Sequence, residues 1–143
     1  MSEEVEALAR EIAGPEASAE TQEFAREVAE AQLDVHRVRY ARHRYLSDAL
    51  SDQYYDSDAN TRMKVKVISG LLSSKVPEMS MEAVEKFVTS TPQGPHKFAT
   101  ILSEEAKQLL AMDRYERRAL SRRKFAIRAF DAARRQAASA ARE

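Results

Sequence analysis

The chain has 143 residues, a length that suits one domain and leaves little room for a second. Charged residues make up 32 % and aromatics 7 %, so any core must be thin and aliphatic, as in elongated helical pairs. Cysteine is absent, which excludes disulfides, thiol nucleophiles, iron–sulfur clusters and cysteine-ligated zinc.

Only three glycines and four prolines punctuate the chain, too few turns for a many-stranded sheet. No apolar run approaches the roughly 18 residues of a membrane span, and Met1-Ser2-Glu3-Glu4 lacks the basic and apolar regions of an export signal. The expectation is a cytoplasmic protein without a membrane partner. Lysine plus arginine equal aspartate plus glutamate at 23 each, but the balance hides a polarity. Ten acids lie between Glu3 and Asp34 against Arg10 and Arg26, whereas nine cations lie between Arg114 and Arg135 against Glu116 and Asp131. Such ends can attract each other, or the basic end can meet a polyanion.

The first predicted helix covers residues 2–13. Val5, Leu8 and Ile12 keep helical spacing, Ser2, Glu3 and Glu4 suit the free amides of its start, and Gly14-Pro15 stops it. Its single narrow stripe must dock on something to persist. A long helix follows over about 18–54, capped by Ser18. Phe24, Val28, Ala31, Val35, Val38, Arg42, Tyr45 and Ala49 alternate steps of four and three, a heptad seam interrupted by Arg42. At about 1.5 Å per residue this helix would measure roughly 55 Å. The polar cluster from Asp52 to Asp58 ends it.

Two short helices are predicted in the connection. The first, about 59–75, is capped by Ser57 or Asp58, carries Val65, Ile68 and Leu72, and stops before Pro77. Its run Val65-Lys66-Val67-Ile68 also alternates like a strand, but a lone strand would have no partner. The second, about 80–89, is capped by Ser80 and carries Val84, Phe87 and Val88, and the loop Thr89-Ser90-Thr91-Pro92-Gln93-Gly94-Pro95 follows. A second long helix then runs over about 95–139. Pro95 suits its first turn, Ser103-Glu104-Glu105 offers an alternative start, and Leu109, Met112, Glu116, Ala119, Arg123, Ala126, Phe130, Ala133 and Ala137 again step by three and four. The alanine-rich tail from Ala132 to Ala141 has little to bury and should fray.

The expected fold is therefore all-α: a single domain over 1–143, built as a long antiparallel, coiled-coil-like helical hairpin with short helices at the N-terminus and in the connection. Setting Arg42 opposite Glu116 brings Val28 near Phe130, Val38 near Leu120 and Ala49 near Leu109. Each pairing is apolar, and the seam's charged interruptions meet as a structural ion pair, which avoids stranding either charge.

No catalytic, cofactor or metal site is expected. His36 and His43 share a helix face, but positions 33 and 40 are Leu and Tyr and Gln93 precedes His96, so the Glu-x-x-His of di-iron bundles is missing. No phosphate loop or nucleophile elbow occurs. The feature with most chemistry is basic. Arg114, Arg118 and Arg122 step by four with Lys124, Tyr115 and Phe125 nearby, and Arg37, Arg39 and Arg44 form a second cluster on the other long helix. These seven cations are the candidate anion or nucleic-acid contacts. The bland alternative pairs them with nearby acids, their stems covering the apolar seam.

The stretch Asp113-Arg114-Tyr115-Glu116-Arg117-Arg118-Ala119-Leu120-Ser121-Arg122-Arg123-Lys124-Phe125-Ala126-Ile127-Arg128-Ala129-Phe130-Asp131 resembles the C-terminal signature of a family of small, uncharacterised bacterial helical proteins. Ile12-Ala13-Gly14-Pro15 and the segment from Ala29 to Arg39 are similar to that family's matching helix. The resemblance covers both long helices and implies a fold but no activity. Family members often begin with a basic leader carrying an Asn-Ala-x-Lys-His-Gly-like run. If that leader is what binds a partner, a chain without it would keep only the helical scaffold.

The functional expectation is a non-enzymatic helical interaction or scaffold protein that self-associates as a homodimer or other homo-oligomer, with a further protein as another conceivable partner. Leu33, Leu46, Leu50, Phe125 and Ile127 lie off the seam and would favour burial between chains. The alternative is a nucleic-acid-binding accessory protein that uses residues 37–44 and 114–128.

Overall fold

A computed structural model describes residues 3–73 and 80–140. Those residues form six α-helices and no strand: α1 (Glu3–Ala13), α2 (Ala19–Ser51), α3 (Asp58–Leu72), α4 (Met81–Thr89), α5 (Gly94–Glu104) and α6 (Ala106–Ala140). The all-α class is as expected. The expected cap at Ser2 and the stop at Pro77 lie outside the described residues. The chain divides into two compact units, Met1–Arg42 with Ala111–Glu143 and His43–Leu110.

The caps follow ordinary helix chemistry. Ser18, Ser57 and Ser80 each accept from the amide three residues on, at 3.2, 3.1 and 3.2 Å. After α1, Gly14 adopts φ 83 while its amide donates to the Arg10 carbonyl at 3.0 Å, a closure that favours glycine. The ambiguous run from Val65 to Ile68 is helical, within α3.

Two long-helix boundaries differ from expectation. α2 ends at Ser51 rather than near Tyr54, because the Asp52 carboxylate accepts from the Tyr54 amide at 2.9 Å and turns the chain. The helix expected over 95–139, with Ser103-Glu104-Glu105 as an alternative start, is two helices that meet at Glu105, which has φ −93 and ψ 8, so the alternative start is the one observed for the longer helix. The amide of Glu105 still donates to Ile101 and its carbonyl still accepts from Leu109, both at 2.9 Å, so the interruption leaves neither group unpaired. The alanine-rich tail stays helical to Ala140, although Arg134 to Ala140 are exposed.

In the first unit the core is made largely of small residues. Ala25, Val28, Ala126 and Phe130 form one cluster, with Ile12, Ala13 and Phe24 packed against it. Val5, Ala9 and Ala29 form another, flanked by Leu8, Ile12 and Leu33. The guanidinium of Arg134 lies 5.7 Å from the centre of the Phe130 ring. α2 thus buries two lines: Val28, Ala31 and Val35 on the heptad seam, and Thr21, Ala25 and Ala29 at steps of four. Ala29 and Ala25 are fully buried, the first in the cluster with Val5 and Ala9 of α1. Alanine lets helix backbones approach closely, so little aliphatic volume fills the space. Arg26 adds an ion pair to Glu6 at 2.8 Å, and that hydrogen bond, with the charge of Glu23, raises its pKa further.

The second unit buries fewer apolar residues, chiefly Val84 and Ile101. α3 has no buried residue at all.

Candidate interaction surfaces

The seven cations singled out by the sequence fall into two groups. Four are committed to carboxylates: Arg37 to Asp34 at 3.6 Å, Arg39 to Glu116 at 2.7 Å, Arg44 to Asp48 at 3.2 Å and Arg122 to Asp34 at 2.6 Å. Arg114, Arg118 and Lys124 are exposed and make no ion pair with another described residue. The cluster around Arg37 is therefore largely matched by acids, and the unmatched charge lies on α6. Glu116 is held by two arginines. Arg39 approaches one carboxylate oxygen at 2.7 Å and Arg42 the other at 3.7 Å, so the closer partner lies almost one turn earlier on α2 than the sequence register placed it. Arg123, also on the expected seam, donates to the side-chain oxygen of Gln32 at 2.9 Å.

The second surface is apolar and belongs to the 43–110 unit. Along α3, Lys64, Val67 and Leu71 are partly buried, while Val65, Ile68 and Leu72 form a second line at steps of three and four that faces water. Leu72 is 84 % exposed and Val65 57 %, more than an ordinary helix leaves uncovered on its apolar stripe. Phe98, Leu102 and Leu110 are also exposed in this unit. Of the residues expected to lie off the seam, Leu33 packs beside α1, whereas Phe125, Ile127 and Leu50 remain exposed and Leu46 is half-buried.

Three polar anchors hold the second unit, and the sequence suggested none of them as an anchor. Lys97 is buried, and its ammonium donates to the carbonyls of Asp52 and, at 2.7 Å, Leu50, which satisfies the C-terminus of α2 with a positive charge. Glu105 accepts from the hydroxyl of Tyr45 on one oxygen and lies 3.4 Å from the Tyr55 hydroxyl on the other. The hydrogen bond to Glu105, then burial, raise the Tyr45 pKa, while burial and the adjacent carboxylate push Tyr55 up to about 12. Asp56 accepts from Lys64, from Asn60 at 3.0 Å and from the Ser57 amide at 2.8 Å, and Lys64 also donates to the Ser90 carbonyl. Burial works against the Asp56 charge, but these donors outweigh it and hold its pKa below the usual value. One signal was legible in advance: Lys64 and Lys97 stand at inward positions, three and four residues before Val67 and Ile101.

Open grooves flank the helices. One of about 510 Å³ lies between Glu27, Glu30 and Ala31 on α2 and Arg122, Phe125 and Ala129 on α6. Another of about 390 Å³ is lined by Ser57, Asn60, Pro92, His96, Thr100 and Glu104. His36, His43 and His96 are exposed, and no three acids or histidines converge as metal ligands would among the described residues. No helix among them is long and apolar enough to cross a membrane. Compared with protein-family models, with curated proteins and with solved structures, the chain matches none.

Proposed function

We propose that the chain is a non-enzymatic helical scaffold of the cytoplasm that self-associates as a symmetric dimer, with the outer line of α3 as its interface. The observation that carries this reading is the uncovered line Val65, Ile68 and Leu72, with Met63 and Met81 also exposed in the same unit. Two copies of such a line can interdigitate as a heptad seam, each residue meeting its own kind about a two-fold axis. Removing that apolar area from water stabilises association by roughly 25 cal/mol per Å².

The long helices of this scaffold form an antiparallel, coiled-coil-like hairpin. In support, partners climb α2 as they descend α6: Gln32 meets Arg123, Asp34 meets Arg122 and Arg39 meets Glu116.

Light scattering at high micromolar concentration is expected to give the mass of a dimer. Ile68→Glu with Leu72→Glu is expected to return a folded monomer, since neither residue is buried within its own chain. A wild-type monomer, or a dimer untouched by the double variant, overturns the proposal.

A further inference from the structure

The solvent face of α6 has a pattern that self-association leaves unexplained. Arg114, Arg118, Ser121, Phe125, Arg128, Ala132 and Arg135 step by four and three along one straight line, and all seven are exposed. At about 1.5 Å per residue the line is about 32 Å long. It contains no acid. The buried line of the same helix, Ala119, Ala126, Phe130 and Ala133, is a separate one, and of this face only Phe125 borders the groove that Glu27, Glu30 and Ala31 of α2 line. Arg114, Arg118 and Arg128 make no ion pair with another described residue, and neither does Lys124 beside them. Arg135 turns only its Nε inward, to the Asp131 carbonyl at 3.2 Å. Asp113 beside the line is already engaged by Arg117 at 2.7 Å.

In the middle of these guanidinium groups stands Phe125, 63 % exposed, and Tyr115 is 60 % exposed one residue beyond Arg114. Most of the Phe125 ring stays in water at the edge of the α2–α6 groove, where burial returns little. It suits a flat partner that also carries negative charge.

We propose that this face of α6 binds single-stranded nucleic acid: the arginine line contacts successive phosphates and Phe125 offers its ring to an unpaired base. Arginine forks suit phosphate oxygens, and aromatic stacking accepts any base. A duplex would supply the phosphates but hide the base faces, leaving Phe125 without a role. A second copy of the same face would set arginine against arginine. An anionic membrane requires an apolar flank to insert, and this line has only Phe125. The assignment rests on α6 alone and stands whether or not the chain dimerises through α3.

The test is fluorescence anisotropy of a labelled single-stranded oligonucleotide of mixed sequence, with the same sequence as duplex and phosphatidylserine vesicles as parallel arms. Binding to the single strand at 50 mM salt is expected, with log affinity falling against log salt at a slope of about −3, as for four phosphate contacts. Neutralising three of them with Arg114→Gln, Arg118→Gln and Arg128→Gln is expected to flatten the slope to about −1. Phe125→Ala is expected to weaken single-strand binding about fivefold or more and to leave duplex binding unchanged. All four positions face solvent, so circular dichroism should show the wild-type helix content. Absence of single-strand binding at 50 mM salt, an unchanged slope in the triple variant, indifference of single-strand binding to Phe125→Ala, or binding to the vesicles alone would each overturn the assignment.

Discussion

In the 1–42 and 111–143 unit, the core is built largely of the buried alanines Ala25, Ala29, Ala31, Ala119, Ala126 and Ala133, with Phe130 packed beside Ala25, Val28 and Ala126, whereas in the 43–110 unit Lys97, Glu105 and Asp56 fasten segments that bury little apolar surface. The first arrangement depends on close backbone approach and tolerates almost no change in volume. The second depends on a few charged hydrogen bonds whose strength follows protonation. It also leaves the outer side of α3 uncovered. α3 is thus apolar on both sides and half-covered, unlike the long helices of the alanine-packed unit.

The largest expected effect comes from removing the ring packed beside Ala25, Val28 and Ala126. Phe130 is 6 % exposed, so its truncation leaves a cavity in that cluster. Phe130→Ala should therefore cost about 3 kcal/mol in chemical denaturation, the usual loss for truncating a buried aromatic. Phe98→Ala, in the other unit, should cost under about 1 kcal/mol because Phe98 is already half exposed. Equal losses would erase the contrast between the two packings.

Much of the first unit was legible in the sequence. The seam Val28, Ala31, Val35 on α2 and Ala119, Ala126, Phe130, Ala133 on α6 is buried where the spacing of three and four placed it. The second buried line of α2 was not legible. Thr21, Ala25 and Ala29 are weakly apolar, and periodicity weighs side-chain hydrophobicity, not how closely two backbones can approach. Val28 and Phe130 share a cluster as the expected register has them, and Arg42 lies 3.7 Å from Glu116; that Arg39 comes closer, at 2.7 Å, was not legible because long side chains reach several positions. The anchors of the second unit escaped for a different reason. Lys97 takes backbone carbonyls, and Glu105 takes tyrosine hydroxyls from 60 and 50 residues away, pairings that no local pattern announces.

Alkali should separate the units next. Tyr55 has a folded pKa of about 12, above the unfolded value of about 10, so the folded state keeps a proton that the unfolded chain loses. Stability is thus undiminished below about pH 10 and falls as pH rises toward 12, by on the order of 1–2 kcal/mol after allowance for partial exposure. Urea unfolding at pH 9 and 11 reads the loss, and Tyr55→Phe should reduce the difference while removing the last phenolate to appear in an absorbance titration. An identical pH dependence in Tyr55→Phe would show that its hydroxyl is not held against Glu105.

The smallest effect tests whether charge matters in the alanine-packed unit at all. Glu116 has a side chain 16 % exposed, but Arg39 and Arg42 are 58 % and 44 % exposed, so both pairs are screened by water on the arginine side. Solvated arginines give up little hydration in pairing and gain correspondingly little, and the couplings should fall in the ordinary surface range. Distance ranks them: a double-mutant cycle between Arg39→Ala and Glu116→Ala should give about 0.5–1 kcal/mol, and one between Arg42→Ala and Glu116→Ala less than about 0.3 kcal/mol. The reverse order would make Arg42, not Arg39, the principal partner of Glu116. A coupling of several kcal/mol for either pair would mean the arginine is desolvated, and both units would then depend on buried charge.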